Sequence, residues 1–188
     1  ARKTGAYEGR PITAGGIRRT LIFTFTFTAV AEATIAVAIG ARLMLGYGYS
    51  FPQAAWEGIF HAISAFNNAG FSTHSDNLVS FSADAWILLP LAAALIGGGL
   101  GFPVWAELVR RKVSMTARMT LWATAMLLTM GMLFFALAEW HGVLSSMPLG
   151  QKLLNAFFAS ASPRTAGFNA VDYGQAHPIT LMGTDMLM

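Results

Sequence analysis

The sequence predicts an all-α polytopic membrane protein, built from units of span, short re-entrant helix, loop and span. Three observations predict it. Hydrophobic residues make up 55% of the chain and charged ones only 11%, with a mean hydropathy of +0.53; soluble domains carry about 25% charge. Three stretches, residues 21–45, 85–106 and 119–138, fit the ~20 apolar residues that cross a hydrocarbon core. Finally, the phrase Ala-Gly-Phe occurs twice, 97 residues apart, each time between one long apolar run and the next. A buried helix pair inside a large soluble protein is the competing reading, and the low charge argues against it.

In chain order, the first run holds Thr24, Thr26 and Thr28 alternating with Phe23, Phe25 and Phe27. Alternation by itself suggests a strand, but an isolated open strand leaves its backbone unsatisfied in lipid, so a helix is expected. Glu32 lies mid-run, and a lipid-facing carboxylate is expensive. It is expected to face the interior and hold neighbouring helices. Arg42, near the end, is expected to snorkel to the interface. Residues 54–66 and 149–162 are apolar but too short to cross at 1.5 Å per residue. Gly46, Gly48 and Pro52 precede the first of them, and Pro148 and Gly150 open the second. Both read as helices that enter the membrane and return as extended chain, which is tolerated only where protein or water covers the backbone. In the second span, Gly97, Gly98, Gly99 and Gly101 suit close helix packing, and Pro103 suits a kink.

Nine of the twelve basic residues fall in two places: Arg2, Lys3, Arg10, Arg18 and Arg19 before the first span, and Arg110, Arg111, Lys112 and Arg118 between the second and third. The positive-inside rule puts both groups in the cytoplasm and the re-entrant segments outside. Their default role is topology, and nothing suggests nucleic acid. The divisions expected are a basic segment over 1–19, one repeat over 20–112 and a second over 113–188. The opening residues do not form a signal peptide. The chain ends as another apolar segment begins, which reads as an internal piece of a longer protein.

Aligned on Gly70 and Gly167, the two repeats share five of thirteen positions: Phe60/Phe157, Ala62/Ala159, Ala69/Ala166, Gly70/Gly167 and Phe71/Phe168. An alkali cation needs no catalytic side chain, only dipoles that replace its hydration shell, and backbone carbonyls supply them. Turning neighbouring carbonyls to one side needs dihedrals that Gly reaches without a Cβ penalty. Gly70 and Gly167 are therefore candidate filter glycines, with Phe71 and Phe168 expected to pack behind the loops. Asn67, Asn68, Thr165 and Asn169 offer supporting polar groups. Without cysteine there are no disulfides or thiolate metal sites. The chain has no HExxH, nucleotide loop or paired-carboxylate site, so no enzyme is expected. His61, His74, His141 and His177 show no metal-ligand spacing, and His61 reads as a hydrogen-bonded core residue.

The phrases SAFNNAGFS (64–72), GGGLGFPVWAEL (97–108) and SPRTAGFN (162–169) resemble the Trk/Ktr/HKT superfamily of cation transporters, the bacterial Ktr potassium-uptake membrane subunit above all. The resemblance covers nearly the whole chain. It implies four span–pore helix–span repeats in pseudo-fourfold array around one pore, of which this chain resembles the second and most of the third. It further implies filter segments of Asn67, Asn68, Ala69, Gly70 and Phe71, and of Arg164, Thr165, Ala166, Gly167 and Phe168. These would act mainly through backbone carbonyls, with Arg164 bracing its loop. Each loop keeps one Gly, unlike the Thr-Val-Gly-Tyr-Gly filter of tetrameric potassium channels, so weaker discrimination between potassium and sodium is expected. The implied cargo is potassium, moved inward across the cell membrane, with no bound organic cofactor. Sodium or mixed transport, and a helical membrane subunit that moves no ion, are the alternatives. The implied partners are repeats one and four of the same polypeptide, a second copy in a homodimer, and a cytoplasmic nucleotide-binding regulatory ring. The family's gating loop falls beyond the end of this chain, so no gate residue is assigned.

Overall fold

The computed structural model describes residues 14–163 and 166–187, with side chains from residue 18 onward. Arg2, Lys3 and Arg10 of the basic segment lie outside the described residues, as do Arg164, Thr165 and Met188. The described chain forms seven α-helices: α1 (Ala14–Tyr47), α2 (Phe51–Phe66), α3 (Ala85–Leu100), α4 (Phe102–Val109), α5 (Met115–Glu139), α6 (Leu149–Ala161) and α7 (Pro178–Leu187). The threonine–phenylalanine alternation lies inside α1, as the span length required. The two short apolar segments are α2 and α6, close to their expected limits.

Two helices are long and apolar enough to cross a membrane, α1 from Arg18 and α5. Their outward faces stay apolar: Phe25, Val37 and Leu45 on α1, Trp122, Leu133 and Leu137 on α5 are all exposed. Such faces suit hydrocarbon. The expected second span, 85–106, is not one straight helix. It breaks at Gly101, whose φ of +78° only glycine adopts freely, and α4 leaves α3 at 96°. Pro103 is not the kink residue; it sits in the first turn of α4, where its missing N–H costs nothing. The Trp105 indole N–H donates to the Gly97 carbonyl at 2.7 Å across the bend, satisfying an acceptor at the end of α3.

Helices pack in sequence pairs, α1 against α2 and α5 against α6, and α3 touches α1, α2 and α6 and so joins the pairs. Small residues set the first crossing. A Cβ on Gly58 would lie 2.5 Å from the Ala36 carbonyl oxygen and 3.1 Å from Gly40 N. In the second pair, a Cβ on Gly131 would overlap the Ser160 hydroxyl, which donates to the Leu128 carbonyl at 2.8 Å. The larger core gathers Ile39, Leu43, Leu78, Leu88, Leu91, Phe158 and Phe168 from both repeats. Buried Asn155 of α6 adds a polar link, donating to the Ser82 carbonyl at 2.8 Å just before α3.

Arg42 has a partner near the end of α1. Its Nε lies 2.7 Å from Asp84 Oδ2, which also accepts from the Tyr47 hydroxyl at 3.1 Å. The other oxygen of Asp84 caps α3, accepting from Trp86 N at 2.9 Å. A buried carboxylate draws the guanidinium inward because an unpaired buried charge is costly.

The crossings predict unequal glycine tolerance. Gly58→Leu should destabilise the purified full-length protein by about 1–3 kcal/mol, the usual cost of overpacking. Gly150→Ala, with nothing within 4 Å of the new methyl, should leave the thermal midpoint unchanged. The Arg42–Asp84 pair predicts that Arg42→Ala lowers that midpoint more than Arg42→Ala combined with Asp84→Asn, since the double variant leaves no stranded buried charge.

Candidate functional site: two glycine loops

The two short helices α2 and α6 end in different ways. Helix α2 closes with Asn68 in the left-handed region at φ +52°. Asn68 N donates to Ala65 O at 3.0 Å and Ala69 N to Ser64 O at 2.8 Å, the pair of bonds that defines a Schellman ending. Two residues on, Gly70 is again left-handed at φ +71°. A left-handed residue on either side of Ala69 turns the chain out of the helix. Helix α6 ends more simply, with Ser162 N on Phe158 O at 2.9 Å and Ala166 N on Ser162 O at 3.2 Å. Gly167 is not left-handed.

The two loops meet backbone to backbone. A Cβ on Gly70 would overlap the backbone nitrogen of Gly167, whereas a Cβ on Gly167 would lie 3.6 Å from Gly70 O, in ordinary contact. The structure thus brings the two repeated glycines together, but only Gly70 needs glycine both for conformation and for space.

Side chains hold the loops. On the first, Asn67 Nδ2 donates to Glu32 Oε1 at 2.9 Å, so Glu32 ties α1 to the end of α2 from a partly exposed position. The Asn68 amide, oriented to satisfy both its groups, donates to Leu95 O at 3.1 Å and accepts from Gly99 N at 3.2 Å. This reaches the glycine-rich end of α3, where a Cβ on Gly98 would overlap the Phe66 carbonyl. On the second, Asn77 Nδ2 donates to Gly167 O at 3.1 Å, and Leu78 N donates to Asn169 O at 3.0 Å. The 72–81 segment of the first repeat therefore supports the loop of the second. Nearby, the Ser80 hydroxyl holds the Asp76 carboxyl below the usual carboxylate range.

The carbonyls after the glycines are occupied. Ser64 Oγ donates to Phe71 O at 2.8 Å, and Ser162 Oγ donates to Phe168 O. Both are held by the helices that precede their loops, α2 and α6. The phenylalanines differ as well. Phe168 is buried, 2% exposed, beside the His61 ring at 6.2 Å. Phe71 is 70% exposed and does not pack behind its loop. Ala166 is buried and Ala69 exposed. A cavity of about 350 Å³ borders the second loop, lined by Ser162, Gly167, Asn169, Tyr173, Thr184 and Asp185 among others. Burial, with the Glu139 carboxylate adding to it, pushes the Tyr173 phenol up to about 12, so it remains a neutral hydrogen-bonding group there.

Sequence reading missed the serine clamps, Asn77 and the histidines. Ser64 and Ser162 fall one position apart when the glycines are aligned, so a strict alignment hides their shared role. His61 and His74 are not scattered: together with Glu57 they form a cluster whose ligand atoms lie within 4.8 Å of one another. The i, i+4 spacing of Glu57 and His61 on one helix face was the available signal.

Residues 13–188 match the family described as TrkH, cation transport protein. The chain is 36% identical over 138 residues to the potassium/sodium uptake protein NtpJ of Enterococcus hirae, covering 71% of this chain and 31% of that protein. It is similar to Ktr system potassium uptake protein B of Bacillus subtilis (36% over 148 residues, 73% and 33%) and of Vibrio alginolyticus (42% over 137 residues, 66% and 30%). The aligned region spans about a third of the length of these relatives.

Loop geometry predicts unequal effects for matched substitutions. Gly70→Ala carries a left-handed φ, costing ~1–2 kcal/mol, and overlaps a facing backbone, so it should lower the thermal midpoint of the full-length protein sharply. Gly167→Ala should lower it little. Equal losses would show that the loops do not meet in this way.

Proposed function

The chain belongs to the TrkH cation transport protein family, and on that premise we propose that the complete protein moves potassium inward through a path bordered by the 67–71 and 164–168 loops. One observation carries this reading: two loops, each leaving the C-terminal end of a short pore helix, approach at Gly70 and Gly167. Helix C-termini carry partial negative charge, which favours a partly dehydrated cation at that point. An inside-negative potential supplies roughly 2.3 kcal/mol per charge per 100 mV for inward movement.

Two loops cannot enclose an ion. Two further span–pore helix–span repeats of the same polypeptide would complete the ring, this chain supplying the second and third. The exposed Phe71 and the apolar pocket edged by Phe60, Ile63 and Ala69 supply surface for a neighbouring repeat to cover. In the closed ring, carbonyls at 67–70 and 164–166 would face the ion, while the held carbonyls of Phe71, Gly167 and Phe168 anchor the loops. Arg164 would brace the second loop. The basic turn Arg110, Arg111 and Lys112, with Arg118 beyond it, would face the cytoplasm, where a nucleotide-binding regulatory ring would have access, and two copies would associate side by side. The printed name of the Enterococcus relative, potassium/sodium uptake protein, favours mixed transport as the second reading.

Cells lacking their own potassium-uptake systems should regain growth at low external potassium when they express the complete protein. Gly70→Ser should remove most of that uptake while membrane insertion is retained. Growth rescue that fails while sodium uptake appears would replace potassium by sodium; neither flux would leave a structural subunit. Membrane-impermeant labelling should reach cysteines placed at His74 or Ser145 from outside and at Lys112 only from the cytoplasm. External labelling at Lys112 would reverse the orientation.

A further inference from the structure

We infer that Glu57, His61 and His74 form a binding site for one divalent transition-metal ion of the zinc type, behind the first glycine loop. Glu57 and His61 stand one turn apart on α2, and His74 arrives from the loop that follows. Glu57 Oε2 lies 3.5 Å from His61 Nδ1 and 3.6 Å from His74 Nε2. Ligands at ~2.0–2.1 Å in a tetrahedral zinc site stand about 3.3–3.4 Å apart, so both carboxylate–imidazole distances are within a few tenths of an ångström of that spacing, and the three ligand atoms all lie within 4.8 Å of one another. Glu57 is 8% exposed and His61 3%. Three protein ligands leave a fourth position free.

Hydrogen bonding around His61 calls for a cation at this point. Ser72 Oγ donates to Asn77 O at 3.0 Å and accepts from His74 N at 3.1 Å. A hydroxyl has one proton, so with that proton on Asn77 the 3.0 Å contact from His61 Nε2 has the ring as donor. The neutral ring then carries its lone pair on Nδ1, and Nδ1 faces two oxygens, the Glu57 carbonyl at 2.8 Å and the Glu57 carboxylate. A lone pair against two acceptors is repulsive, so either a proton on Nδ1 donating to the Glu57 carbonyl or a metal ion occupies this point. Glu57 states the same need, because a buried carboxylate is paired or coordinates a metal. Its charge partners within 4 Å among the described residues are these two imidazoles, and Thr73 adds a hydroxyl donor. Imidazole nitrogens with one carboxylate suit zinc, copper or nickel rather than alkali ions or magnesium, which prefer oxygen alone. Ser72 would orient the ring from its far side, as outer partners of metal-bound histidines do.

The bound ion would tie α2 to the 72–77 loop, and Asn77 of that loop holds the Gly167 carbonyl. Its role is structural and separate from the transported cation.

The test uses the complete protein, purified without a polyhistidine tag, stripped with a chelator and dialysed against zinc chloride. One zinc per chain should be retained, with a raised thermal midpoint, and Co2+ should give the intense visible absorption of a tetrahedral site. His74→Ala, at a partly exposed loop position, should lose the retained metal and the thermal shift, while His141→Ala keeps both. Zinc retained equally by His74→Ala, or a midpoint that responds to pH and not to zinc, would overturn the assignment, the latter showing that a proton fills the place. Should His74→Ala fail to fold, the Co2+ spectrum of the unmodified protein decides, and absence of tetrahedral absorption overturns the site.

Discussion

A chain that turns back within an apolar slab must satisfy every backbone donor and acceptor it uncovers there, since no solvent will do so. Most of the polar side chains around the two glycine loops answer that demand. Asn68 spans the gap between the first loop and the glycine-rich end of α3, meeting Leu95 O and Gly99 N. Ser64 and Ser162 take the carbonyls that follow the glycines. Asn77 takes Gly167 O, and Trp105 takes Gly97 O where α3 breaks. The loops are therefore shaped as much by what their backbone must avoid leaving bare as by what it offers a cation.

Close approach is the second requirement, and glycine meets it wherever backbone meets backbone. Gly58 against Ala36, Gly98 against Phe66 and Gly70 against Gly167 are contacts with no room for a methyl group. The first two bring α1, α2 and α3 together; the third brings the repeats together. Only Gly70 combines a facing backbone with a positive φ, so the two halves of the repeated phrase carry different mechanical loads despite their shared residues.

The same divergence shows where each loop hands over to the next helix. Helix α3 is capped by its own Asp84, held by Arg42 and Tyr47. The start of α7 is met instead by Glu139 from the end of α5, which accepts from His177 N at 2.7 Å and from the Thr180 hydroxyl. Both solutions satisfy the orphan donors of a helix N-terminus, one from the preceding residue and one from 38 positions away.

Sequence alone determined the helical class and the positions of α1, α2, α5 and α6, because length, apolar composition and breaker residues act locally; it marked Gly70 and Gly167 as the matching glycines of a repeated phrase, and the structure brought them into contact. It also gave Glu32 a role in holding neighbouring segments, and the Asn67 amide meets its carboxylate although the side chain stays partly exposed. Tertiary structure decided the rest. Arg42, itself partly exposed, pairs with Asp84, 42 residues on and buried. The break fell at Gly101 rather than Pro103 because a positive φ, not a missing N–H, bends the chain there. Phe71 stayed bare while Phe168 was covered by His61, from the other repeat. Glu57 and His61 met His74 only once the loop after Gly70 folded back over α2. Each of these rests on contacts between residues far apart in the chain, and periodicity and composition carry no record of which distant partner a side chain will find.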